Sequence, residues 1–208
     1  MCAVAYSQVQ RAVHRLGTDV PVISLEPSSL DDICATVVAL GDATGRGHMA
    51  AALAAAMRER VDVVASTEPP SRPRVACLEW TDPIMVGGHW VPEMVALAGG
   101  QDPLGVAGVP SRAVTWDEVG EAEPEVMVLM PCGFGLERTL EVAGQITGRD
   151  GFAGLPCARS GRVIAVDGSG YFNRPGPRIV SGLEILAAAI RARPGDPLPR
   201  GAAWISPG

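Results

Sequence analysis

Residues 74–93 read RVACLEWTDPIMVGGHWVPE, and the fold turns on how the first seven of them are taken. RVACLEW (74–80) is an apolar run without strict polar alternation, which suits a strand buried on both faces of a parallel sheet. Two later runs match it, EVMVLMP (125–131) and RVIAVDG (162–168). Each is followed by a helical pattern: Pro92 to Ala98 closed by Gly99-Gly100, Phe134 to Thr147 closed by Gly148, and Pro177 to Arg193 closed by Pro194. Strand followed by helix, repeated in this way, predicts an α/β lobe layered around a central, mostly parallel sheet.

Working outward toward the amino terminus, STEPPSRP (66–73) is a linker by composition, because its three prolines exclude helix interiors and strand centres. Ahead of it, Gly47 to Ser66 carries Met49, Leu53, Met57, Val61 and Val64 on related helical faces. At ~1.5 Å per residue such a helix is roughly 30 Å long, enough to cross a domain. Ser29 followed three residues on by Asp32 is a capping-box start for another helix running to about Gly41. Residues 4–16 predict a short helix ended by Gly17, and VPVISLEP (20–27) predicts a strand stopped by Pro27.

The bulk properties narrow the function. A chain of 208 residues, 47% hydrophobic and 19% charged, can build a real core, and its formal net charge of −6 with no arginine–lysine cluster argues against tracking nucleic-acid phosphates. The five cysteines, Cys2, Cys34, Cys77, Cys132 and Cys157, are odd in number and widely spaced, so neither a disulfide framework nor a zinc knuckle is signalled. The start, MCAVAYSQVQRAVHRL, has no basic region followed by a long apolar run, and the Ala-rich stretch from Met49 to Met57 is too short to cross a bilayer. As written, these features predict a cytoplasmic chain with no membrane span.

In open parallel sheets ligands bind beyond the carboxyl ends of the strands. Here those ends lead into TDPIMVGGHW, CGFG and SGYFNRPGPR, which gather His89, Trp90, Cys132, Phe134, Tyr171, Phe172, Asn173 and Arg174, with Trp80 at a strand end. Nine aromatic residues serve the whole chain, so their convergence on one rim asks for a reason. For Trp80 and Trp90 two readings stay open: core packing under a loop, the usual fate of tryptophan, or a flat apolar wall for a large ligand. His89 is either a loop histidine satisfied by its surroundings or a ligand or metal contact. Cys132 lies near a helix start, where thiol pKa falls, but no partner histidine or carboxylate is identifiable from spacing, so nucleophilic catalysis lacks its base. Arg174 is a cleft residue or a solvated one ahead of the helix that Pro177 starts. Asp117 and Glu118 in TWDEV complement the positive end of a short helix or meet a partner.

These motifs together resemble the class III periplasmic substrate-binding proteins, whose two Rossmann-like lobes are joined by a long rigid helix, and most of all their cobalamin-binding branch. The resemblance is carried by VISLEPSSLDDI, the long helix to Ser66, LEWTDPIMVGGHWVPEMVALAGG, TWDEV, PCGF and YFNRPGPR. It implies capture of a corrinoid or iron chelate, cobalamin or an iron–siderophore, between the lobes, delivery to an ABC importer permease, no chemistry, and no cofactor or structural metal. Carried over by position, Trp80, Asp82, Pro83, His89, Trp90, Cys132, Gly133, Phe134, Tyr171, Phe172, Asn173 and Arg174 face the ligand, and Asp117 and Glu118 dock the permease. Family members have several strand–helix units before the long helix, whereas this sequence has one. The expectation is therefore an N-terminally truncated member: residues 1–27 a remnant of the first lobe, 28–73 the helical backbone and linker, and 74–208 the ligand-binding lobe. The competing expectation is a cytoplasmic cofactor-handling protein or a small-molecule enzyme using Cys132 or His89.

Overall fold

The computed structural model describes residues 6–17, 20–67 and 71–205. Five strands form one sheet: β1 (Val75–Thr81), β2 (Ile84–Val86), β3 (Val126–Leu129), β4 (Val163–Val166) and β5 (Ala202–Trp204), in the spatial order β2-β1-β3-β4-β5. The middle three run parallel, with Val75 opposite Val126 and Met127 opposite Val163, and they are the three apolar runs of the sequence. The two edges are antiparallel and were not expected. β2 lies inside what read as a loop, folded back on β1 by the two-residue turn Asp82-Pro83, which contains a cis peptide bond, and β5 pairs with β4 near the carboxyl terminus.

Both faces of the central strands are covered, which explains their lack of alternation. Val75, Cys77, Val126, Val128, Ile164 and Val166 point to one apolar cluster, and Ala76, Leu78, Met127, Leu129, Val163 and Ala165 point to another. The first is roofed by α2 (Leu30–Ala43), α3 (Gly47–Ala65), α4 (Val91–Leu97) and α10 (Ile179–Arg191). The second is closed by shorter elements, among them α5 (Trp116–Glu121), α7 (Gly144–Thr147) and α8 (Pro156–Arg159). The remaining helices are α1 (Tyr6–Arg15), α6 (Leu136–Val142) and α9 (Gly168–Tyr171). The expected helix over 134–147 is broken at Ala143 into α6 and α7, next to Gly144, a poor helix former.

The α2–α3 hairpin is built from local signals. Ser29 and Asp32 form the expected capping box, and the Leu30 amide donates to Glu93 of α4 at 2.8 Å, tying the helix start to the lobe. Gly41 lets the two helices close, because any Cβ there would overlap Ala50. Ile33, Cys34, Ala54 and Met57 then join the same cluster as the sheet, so the hairpin and the lobe share one core. Arg60 adds a paired contact to Glu184 at 2.7 Å, exposed on both sides and therefore of small energetic weight.

The strand expected over VPVISLEP is corrected: residues 20–28 hold no regular structure. A strand needs a ladder beside it, and the segment joins neither edge of the five-stranded sheet. Leu16, Val20 and Ile23 stay 77%, 59% and 44% exposed. The first two residues of the helix expected over 4–16 lie outside the described residues, as do 68–70 of the linker.

Candidate functional site: the rim at the strand carboxyl ends

The loops after β1, β3 and β4 meet at one edge of the sheet and are stitched to one another by backbone bonds. The Cys132 amide donates to the Glu79 carbonyl at 3.0 Å, and the Ser169 amide donates to the Phe134 carbonyl at 2.9 Å. Asn173 bridges the second and third loops: its Oδ1 accepts from the Gly133 amide and its Nδ2 donates to the Met130 carbonyl, both at 3.4 Å. Asn173 is thus a positioning residue for the Cys132-Gly133 turn, where Gly133 takes a left-handed φ of 81°.

The aromatic residues divide into two groups. Trp90 is buried in the first core cluster, and its Nε1 donates to the Phe172 carbonyl at 2.9 Å. Phe172 is fully buried. Tyr171 packs half-buried against the same cluster, and its ring lies against Gly201 so closely that a Cβ there would approach to 2.7 Å. Trp90 and Phe172 therefore lie in the core, Trp90 taking the packing alternative left open for it: a large ring with one polar edge is retained inside once that edge finds a carbonyl. Trp80 is the tryptophan that stays half-exposed at the rim, its Nε1 held by the Asp82 carbonyl at 2.9 Å. Its ring meets the half-exposed Phe134 ring at 5.3 Å between centroids and an interplanar angle of 59°. The pair makes a corner, not the flat wall expected. Asp82, Pro83, Cys132, Gly133 and Arg174 are exposed.

His89 is half-buried and sits at a φ of 53°, unusual for a side-chain-bearing residue. Its amide donates to Val109 at 2.7 Å and its carbonyl accepts from Gly108 at 2.9 Å, so the strained residue is clamped on both sides. The paired glycines before it have a steric cause, since a Cβ on Gly88 would overlap the backbone at Pro110 and Ser111. Beneath this loop lies a group that sequence reading missed, the carboxylate of Glu79. Burial pushes its pKa up, opposed by a hydrogen bond from the Ser111 hydroxyl at 2.5 Å, by the Gly88 amide and by the nearby His89. A lone acid inside the apolar run LEW was the available signal. Asp102, whose Oδ1 accepts from the Leu104 and Gly105 amides at 2.9 and 2.8 Å, is likewise raised by burial.

The two expected docking acids also separate. Glu118 is committed inside its own helix start: its Oε2 accepts from the Thr115 amide at 2.7 Å and its Oε1 from Arg112 at 2.8 Å. Those bonds, the Thr115 amide first, hold its pKa below the ordinary carboxylate value. Asp117 next to it is exposed. Among the described residues no group of three or more His, Cys, Asp or Glu side chains is placed to hold a metal ion, and no helix is long and apolar enough to cross a membrane.

A model of the family described as periplasmic binding protein matches residues 3–169. The chain belongs to that family. Its members are non-catalytic solute-binding proteins that carry ligands rather than cofactors, work with ABC transporter permeases and are typically periplasmic or extracellular. The enzyme expected as an alternative, built on Cys132 or His89, is set aside on that ground. No curated protein matches significantly. The fold is similar to the apo form of the periplasmic heme-binding protein of Roseiflexus sp. RS-1, at 24% identity and a TM-score of 0.73 over 91% of this chain and 73% of that one. It is also similar to the periplasmic vitamin B12 binding protein of Vibrio cholerae, at 21% identity and a TM-score of 0.65 over 88% of this chain and 69% of that one. An ABC-type Fe3+-hydroxamate transport protein of Saccharomonospora viridis DSM 43017 shares 22% identity and a TM-score of 0.68 over 88% of this chain and 65% of that one. At such identities the shared property is the fold.

Proposed function

We propose that this periplasmic-binding-protein lobe captures a metal chelate with a broad apolar body, a corrinoid such as cobalamin or a related chelate, and presents it to an ABC importer permease. The observation that carries the reading is the Trp80–Phe134 corner, two rings left partly open to solvent at the carboxyl ends of β1 and β3 in a chain that buries most of its large apolar side chains. Ligand sites are mostly apolar with a few polar anchors, and Asp82, bonded to Trp80, and Asn173, bonded to the Gly133 turn beside Phe134, supply polar groups near the corner. The vitamin B12 binding, heme binding and Fe3+-hydroxamate transport named for the three structural relatives support a metal-chelate ligand. In this reading residues 74–208 are the ligand lobe, 28–73 its helical backbone, and 1–27 part of an amino-terminal lobe. Ultraviolet–visible titration of the chain with cobalamin, hemin and a ferric hydroxamate tests it. Saturable spectral change with at least one of them at micromolar concentration is expected, and none with all three refutes the reading.

Asp117 is the acid we assign to permease docking, because Glu118 is spent on Arg112 and its own helix cap. Asp117→Arg should weaken association with the cognate permease, more at low salt than at high, while leaving chelate affinity unchanged. A complex that forms equally well with the reversed charge removes Asp117 from the interface.

A further inference from the structure

The Trp80–Phe134 corner carries a cation that the rim loops themselves do not supply. Arg138 of α6 lies with its guanidinium carbon 5.5 Å from the Phe134 ring centroid. The helix beneath it is anchored: Thr139, fully buried, donates its hydroxyl toward the carbonyls of Gly135 (3.0 Å) and Val166 (3.2 Å), which ties the first turn of α6 to β4. Phe134 is fixed by the Ser169 amide on its carbonyl, and its ring by Trp80. Arg138 therefore extends from a rigid base to the Phe134 ring, at cation–π distance from its face. Its partner is the exposed Glu141, three residues on, at 2.6 Å. An ion pair of this kind, with both side chains about 60% exposed, holds little energy and yields readily to a better-placed anion.

We propose that Arg138 selects chelates bearing a carboxylate or other anionic group on the edge of the apolar body, the body lying in the Trp80–Phe134 corner and the anion meeting the guanidinium above it. The inference rests on the chelate-binding reading and narrows it, since it favours an acidic tetrapyrrole over one whose edge carries only neutral groups. Arginine suits the task because its planar fork can bind a carboxylate bidentately.

The test compares hemin, whose propionates are ionised at neutral pH, with its dimethyl ester, which has the same ring and no anionic edge, by absorbance titration of the whole chain in a mild detergent. Arg138→Gln should raise the Kd for hemin about five- to tenfold, the range of a part-exposed charge-assisted bond, and leave the Kd for the ester within about twofold. Arg138→Lys should recover part of the loss, and Glu141→Gln, which frees the guanidinium, should tighten hemin alone. Equal losses for hemin and ester in Arg138→Gln, or no loss for hemin, overturn the assignment of Arg138 while leaving the chelate reading standing. A wild-type chain that binds neither porphyrin overturns both the porphyrin form of that reading and this inference with it.

Discussion

Residues 20–25, VPVISL, and residues 75–81, VACLEWT, are similarly rich in β-branched and apolar side chains, yet one is irregular and exposed and the other is the strand at the heart of the fold. Val75, Ala76, Cys77 and Leu78 have a parallel ladder to β3 on one side and an apolar cluster against each face, and Leu78 also pairs with β2. Val20 and Ile23 lie in a segment with no described sheet beside it. The contrast shows that apolar sequence is only a request for a strand. A second layer and neighbouring strands are what grant it, because backbone groups leave water only when a ladder receives them.

The sharpest way to break this comparison is to truncate one side chain in each region. Leu78→Ala, in the fully buried β1, should cost about 2–5 kcal/mol of unfolding free energy, whereas Ile23→Ala should stay within about 0.5 kcal/mol. Urea denaturation followed by circular dichroism reads both. Comparable losses would mean that residues 20–25 are packed in solution against something as substantial as the lobe's core.

A smaller effect sharpens the comparison inside the lobe. Glu79 has a folded-state pKa raised by burial, so the folded chain holds its proton to higher pH than the unfolded chain does. Stability should then fall as pH rises from the unfolded toward the folded pKa, and stay at that lower level above it. Glu79→Gln should remove this share of the decline, leaving the part due to Asp102, whose pKa is displaced in the same direction. Melting temperature measured against pH for both chains is the check. A wild-type profile that rises through this window, or a variant that melts lower at neutral pH, would show that the Ser111 and Gly88 hydrogen bonds outweigh burial.

Much of the fold was legible because its signals are local or doubly reinforced. The parallel strands announced themselves through burial on both faces, and the α2 start through the Ser29–Asp32 box. The edge strands were not legible, being three residues each and antiparallel, although Asp82-Pro83 was a turn signal ahead of β2. At the site, sequence located the rim but could not sort its aromatics. Whether a tryptophan lies in or out depends on where its indole finds a carbonyl: Phe172 for Trp90, Asp82 for Trp80. Arg138 was readable in principle, since it stands four residues after Phe134 in the helix expected over 134–147, although the observed α6 begins only at Leu136. For Glu118 the sequence left capping and docking both open, because a capping glutamate and a free one share the same sequence signature.

The central claim is that the exposed corner, and not the buried aromatic pair behind it, receives the ligand. The most direct measurement is the Kd of Trp80→Ala, by absorbance titration with whichever chelate the wild-type chain binds. Losing ~60 Å² of apolar contact at ~25 cal/mol per Å² amounts to about 1.5 kcal/mol, so the account predicts a Kd raised roughly tenfold with the fold intact by circular dichroism. A folded Trp80→Ala chain with the wild-type Kd would contradict it and move the site away from the rim.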